Sequence, residues 1–102
     1  VPKILDEPVR ADVISLVGEL DMVTAPALRS RLMGAAATST APVIALDLSR
    51  VSFLDAQCAG IIASAWARAR VRGQVLRVDG LHGTPKRVFE LLGLASLAEG
   101  SG

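Results

Sequence analysis

The chain has 102 residues, 51% of them hydrophobic and 21% charged, and 11 basic side chains stand against 10 acidic ones. A chain of this size is expected to form one domain over residues 1–102 with a lean core, and its composition excludes wholesale disorder. A net charge of +1 argues against a dedicated nucleic-acid binder, which needs a marked basic excess to displace counterions from phosphates.

The first eleven residues are weakly patterned. Asp6-Glu7-Pro8 reads as a turn, with a short edge strand expected in Lys3–Leu5 or Val9–Arg10. Val13–Val17 is a compact apolar run rich in β-branched residues and predicts a strand, closed by Gly18-Glu19-Leu20-Asp21. Thr24 stands as the N-cap of a first helix. Pro26 falls in its first turn, where a missing N–H costs nothing, and Leu28 and Leu32 share its apolar face. Gly34 and Thr38-Ser39-Thr40-Ala41-Pro42 mark its end.

Val43–Leu48 is apolar at nearly every position, as in a strand covered on both faces. Ser49–Asp55 is expected to link it to a second helix over Ala56–Arg72, about 25 Å long at the usual rise. Ile61, Ile62, Ala65, Trp66 and Ala69 form the stripe expected to be buried. Arg68 and Arg72 lie outside, near a terminus that favours cations, and Gly73 suits the position after the helix. Gln74–Val78 predicts the third strand and Asp79–Gly83 a loop. Thr84 and Pro85 open a third helix with Val88, Leu91 and Leu92 on its apolar face, and Gly93 ends it. Leu94–Ala98 is a short last element, strand or helix. The β–α–β–α–β–α order predicts an α/β fold with parallel pairing and right-handed crossovers.

The one cysteine, Cys58, rules out a disulfide within the chain and suits a reducing compartment. No apolar run approaches the roughly 18 residues of a membrane span, and Val1–Arg10 lacks the apolar stretch of a signal peptide. A cytoplasmic, soluble domain without membrane contact is expected. The single histidine, His82, has no cysteine or second histidine to share a metal with, and no Gly-rich phosphate loop is present. Neither a metal nor a cofactor is expected. Nor is an enzyme, because no nucleophile–base pair stands out.

Asp21 and Asp55 each follow a predicted strand and precede a helix, so parallel strands would bring both to the carboxyl edge, where open α/β sheets place their sites. Capping alone accounts for Asp55. Cys58 falls in the first turn of the second helix, where a helix N-terminus lowers a thiol's pKa. A thiolate that holds an anion would want an arginine six residues on, and that residue is Ser64. The other reading of Cys58 is a small, buried, inert side chain.

Four segments in order resemble one family. Val17-Gly-Glu-Leu-Asp21 with Thr24-Ala25, Ile44–Asp55, Val75–Asp79 and Lys86–Leu94 are similar to the STAS domain of anti-sigma factor antagonists, over about residues 12–98. The resemblance implies a mixed, mostly parallel sheet with helices packed on one side, and a part in partner switching. The antagonist binds an anti-sigma factor, usually a serine kinase, and so frees a sigma factor. Phosphorylation at the start of the second helix ends the complex. The family motif there is Asp-Ser-Ser/Thr-Gly, whereas this chain has Asp55-Ala56-Gln57-Cys58. Gln57 stands at the acceptor position and cannot take a phosphoryl group. The implied partner-binding residues are Asp21, Thr24, Asp55, Ala56, Gln57 and Cys58. Control is expected to act elsewhere, through another phosphosite, Cys58 oxidation or a ligand. The alternative is a STAS-type sensor or regulatory domain that binds a small ligand or forms a signalling scaffold.

Overall fold

The structure, a computed structural model, describes residues 10–98. Its elements are β1 (Ala11–Leu20), α1 (Ala25–Thr38), β2 (Val43–Leu54), α2 (Ala56–Val71), β3 (Val75–Asp79), α3 (Gly83–Leu91) and α4 (Ala95–Ala98). The edge strand expected in Lys3–Leu5 or Val9–Arg10 lies outside the described residues, except for Arg10, which belongs to no element.

The strands pair in the order β1-β2-β3, parallel throughout, with β2 in the centre. Ile14, Ile44, Leu46, Leu48, Leu76 and Val78 alternate onto one face and are buried under the helices. Among the described residues the opposite face is more exposed: Val13 is 65% exposed, Ala45 between it and Arg77 is buried, and Arg77 pairs with Asp79 at 2.8 Å. Helices on one side only leave this alternation, because only one face of each strand has a hydrophobic partner. The core continues from the sheet into Leu28 and Leu32 of α1, Ile61, Ile62, Ala65 and Ala69 of α2, Phe89 of α3 and Leu97 of α4.

Several boundaries differ from expectation. The segment read as a link, Ser49–Leu54, continues β2 alongside Val17–Leu20 of β1. Two register shifts, between Ser15 and Val17 and between Gly18 and Glu19, let β2 spend extra residues there. Gly18 takes φ +92 at this irregularity, a conformation that L side chains rarely adopt. The shifts break the two-residue alternation, so Val51 and Leu54 turn inward while Ser52 and Phe53 stay outside. β3 begins one residue late, because Gln74 turns into the core and donates its amide N–H groups to the carbonyls of Ser39 and Ala41 at 3.0 and 2.8 Å.

α1 runs through Gly34 to Thr38. α3 starts at Gly83 with His82 as its N-cap, so Thr84 is a helical residue. Its buried side chains are Pro85 and Phe89; Leu91 and Leu92 face solvent and Val88 is half-buried. Trp66 is likewise half-buried, with the Arg70 guanidinium 4.9 Å from its ring centroid. A ring as large as indole covers core at one end and leaves a face for a cation.

Candidate functional site

The register shifts have a consequence at the carboxyl edge. They align Leu20 with Leu54, both buried, so the next residue of each strand, Asp21 and Asp55, leaves the sheet side by side. The Asp55 N–H donates to the Leu20 carbonyl at 3.1 Å and closes the ladder. Two turns therefore emerge next to each other, one into α1 and one into α2.

The first turn is tied by its own polar atoms. Asp21 Oδ1 accepts from the Val23 and Thr24 N–H groups at 3.0 and 3.2 Å. The Thr24 hydroxyl accepts from the Asp21 N–H at 2.9 Å and lies 3.1 Å from the Glu19 carbonyl, to which it donates. Thr24 holds the N-cap position of α1, yet its side chain does not cap that helix; it binds back onto the end of β1. With its polar groups satisfied internally, the turn directs Met22 and Val23 outward, 76% and 83% exposed. Sequence reasoning missed these two. The available signal was an apolar pair inside a strand-to-helix turn, where polar residues are the rule.

The second turn is a helix cap. Asp55 Oδ1 accepts from the Cys58 N–H at 2.8 Å, and the Asp55 carbonyl accepts from Ala59 at 3.0 Å. Ala56 and Gln57 occupy the first exposed positions of α2, and the Gln57 amide makes no hydrogen bond to a described residue. Asp55 is half-buried and Thr24 likewise, so these two shape the turns while Gln57 offers a free donor and acceptor.

Cys58 corrects an expectation. It is 0% exposed, and its thiol donates to the Asp21 carbonyl at 3.6 Å, joining the two turns from below. Burial, followed by the Asp55 and Asp21 carboxylates, pushes the thiol up to about 12. The helix N-terminus would lower it, but desolvation and two acids of like sign to the thiolate outweigh that effect. Cys58 thus packs in the core with a neutral thiol, beneath the surface that Ala56 and Gln57 present. His82 sits apart, its Nε2 2.9 Å from the Ser49 carbonyl. No group of three or more metal-ligating side chains occurs among the described residues.

Among the described residues the site is an exposed edge of mixed polarity at the carboxyl end of β1 and β2, where two helices begin. Family comparison agrees with the fold: the model described as "Mlab, STAS domain" matches residues 5–99, and the chain belongs to the STAS domain family. It is 31% identical over 86 residues to an anti-sigma-B factor antagonist of Listeria monocytogenes, covering 84% of this chain and 75% of that protein. Its fold is similar to the solved structure of an anti-sigma factor antagonist from Mycobacterium paratuberculosis, with TM-score 0.76 and 31% identity over 84% of this chain and 72% of that one. The anti-sigma factor antagonist SpoIIAA in its unphosphorylated form shares the fold at TM-score 0.75 and 22% identity, over 88% of this chain and 78% of its own. No helix among the described residues is long and apolar enough to cross a membrane.

Proposed function

We propose that this chain is an anti-sigma factor antagonist whose docking surface joins the Asp21–Thr24 turn to the start of α2. The observation that carries the reading is the exposed amide of Gln57 in the first turn of α2, which makes no hydrogen bond to a described residue, beside two outward apolar side chains, Met22 and Val23. Interfaces draw their energy from a few such groups, an apolar anchor next to a polar atom that needs a partner. The partner is an anti-sigma factor, of the serine-kinase type that the family scheme pairs with these domains. Asp21, Thr24 and Asp55 hold the surface in shape; Ala56 and Gln57 form it. The similarity to two antagonists at 31% identity supports this assignment.

Gln57 also decides the mode of control. Its amide has no hydroxyl to phosphorylate and carries no charge, so it mimics the unphosphorylated, binding-competent state. Regulation at this position by kinase action is absent, and the complex forms whenever both proteins are present. The hollow beside the first turn is about 170 Å³, below the roughly 300–1,000 Å³ of ligand pockets, so this surface suits a protein partner better than a small ligand.

Titration calorimetry with the purified anti-sigma factor tests the surface. Val23→Asp and Gln57→Glu should each weaken binding by about tenfold or more, because each places a desolvated charge in the contact. A Glu at position 57 also favours the positive end of the helix dipole, so the variant keeps its stability and a loss of binding cannot be ascribed to unfolding. Wild-type affinity in both variants would overturn the assignment of this surface.

A further inference from the structure

Two of the helices, α1 and α2, carry charge of one sign. α1 and α2 contain Arg29, Arg31, Arg68 and Arg70 and no acidic residue. On α3, Glu90 faces Lys86 and Arg87. The remaining carboxylates of the described residues sit on the strands and their edges. Among the described residues the ion pair is Arg77–Asp79, within the sheet, so no arginine of the helices is neutralised by a carboxylate. The macrodipole favours cations in the last turn of α2 and explains Arg68 and Arg70 one by one. It does not explain the hollow that Arg68 borders.

That hollow, about 350 Å³, lies between the C-terminal parts of α1 and α2 and is lined by Met33, Ala36, Ala37, Arg68, Val71 and Arg72. Its floor is apolar. Val71 stands at the rim, 88% exposed, and continues the apolar floor outward. The Arg72 guanidinium donates to the Ala36 carbonyl and is thereby fixed over the end of α1. Arg68 is exposed and makes no hydrogen bond to a described residue. A recess with an apolar floor, a protruding valine and an unpaired cation matches an apolar side chain flanked by a carboxylate.

We propose that this hollow docks an acidic amphipathic helix of a partner protein, one apolar side chain entering the recess and one carboxylate meeting Arg68. Two helices side by side offer a groove to a third, whereas an extended segment needs a sheet edge. A bilayer is a poorer fit. Interfacial binding wants a broad apolar face with long side chains, and here the exposed apolar atoms are those of Val71 and the short Ala37. A nucleic acid finds no aromatic ring in the lining to stack on. Val71 lies about 21 Å along α2 from Gln57 at the usual helical rise, so this surface stands independently of the proposed antagonist role.

The test uses the full chain and a fluorescein-labelled peptide of about 16 residues, with Leu and Glu at amphipathic helical spacing. Fluorescence anisotropy should show saturable binding that weakens with salt, and amide chemical-shift changes should centre on Met33, Ala37, Arg68 and Val71. Arg68→Glu and Val71→Asp, both at exposed positions and checked for folding by circular dichroism, should each lower affinity by about tenfold or more. The same peptide with Lys in place of Glu should not bind. Absence of binding, equal affinity of the Lys peptide, wild-type affinity in both variants, or shift changes centred on Arg29 and Arg31 would each overturn the proposal. So would co-sedimentation of the chain with phosphatidylglycerol vesicles without binding of the Glu peptide.

Discussion

At the scale of single residues, three neighbours at the start of α2 divide the work. Asp55 holds the helix end, Cys58 packs beneath it, and Gln57 alone is free. Asp55→Ala should lower stability by about 1 kcal/mol in urea unfolding, the usual value of an N-cap. Cys58 should not react with a thiol reagent such as Ellman's at neutral pH until the chain is unfolded. Its pKa also sets a pH dependence. Folding moves the thiol from 9.0 up to about 12, so above pH 9.0 the native state holds a proton that the unfolded chain has lost. Stability from the neutral thiol is complete below that pH and falls as pH rises towards 12. Unfolding midpoints of the wild type and Cys58→Ala, compared over that window, should show a shallower fall in the variant.

The residue scale is also where the sequence was half legible. The placement of Asp21 and Asp55 at one edge followed from strand–helix alternation, and capping by Asp55 from its position. The exposure of Met22 and Val23 did not, because hydrophobicity records a preference for burial, not its achievement. For Cys58 the helix terminus and the core offered opposite readings, and only packing decides between a thiolate and a buried thiol.

At the scale of elements, the irregular pairing of β1 with β2 matters most for the site. A regular ladder would bring the strands to their ends in a different register and separate the two turns; the two shifts bring Leu20 and Leu54 level. This was illegible beforehand, since a bulged strand loses the alternation by which strands are read. Gly80, at the turn after β3, shows how closely β2 is packed there. It has φ +73, and a Cβ added to it would lie 2.8 Å from Ser49 Cβ and 2.9 Å from Ser49 N. Gly80→Ala should cost at least about 2 kcal/mol, combining left-handed strain with a clash against backbone that cannot swing aside, as read by thermal unfolding. Gly34 and Gly60, with open space around the added Cβ and ordinary helical backbone, should tolerate alanine, and in α2 the change should raise stability slightly.

At the scale of the whole molecule, the sheet and its edges carry most carboxylates, together with Arg50 and Arg77, and the helical layer carries most of the arginines. The chain-wide charge of +1 conceals this division, because composition sums what the fold separates. The α/β class, the three parallel strands and the resemblance to STAS domains were all legible, since long apolar runs alternating with amphipathic helices leave few topologies open. The charge layering and the hollow between α1 and α2 emerged only once the helices were set on one side of the sheet. The antagonist role joins the scales: capping holds α2, the irregular ladder brings the two turns together, and the result presents a neutral amide that no kinase can mark. The most direct measurement incubates the chain with its anti-sigma factor and ATP, then records intact mass and binding affinity on the same sample. The expected result is unchanged mass over residues 55–60 and the same affinity with and without ATP, with Gln57→Glu binding at least about tenfold more weakly. A phosphoryl group mapped to that segment, or a Gln57→Glu variant that binds as the wild type does, would contradict it.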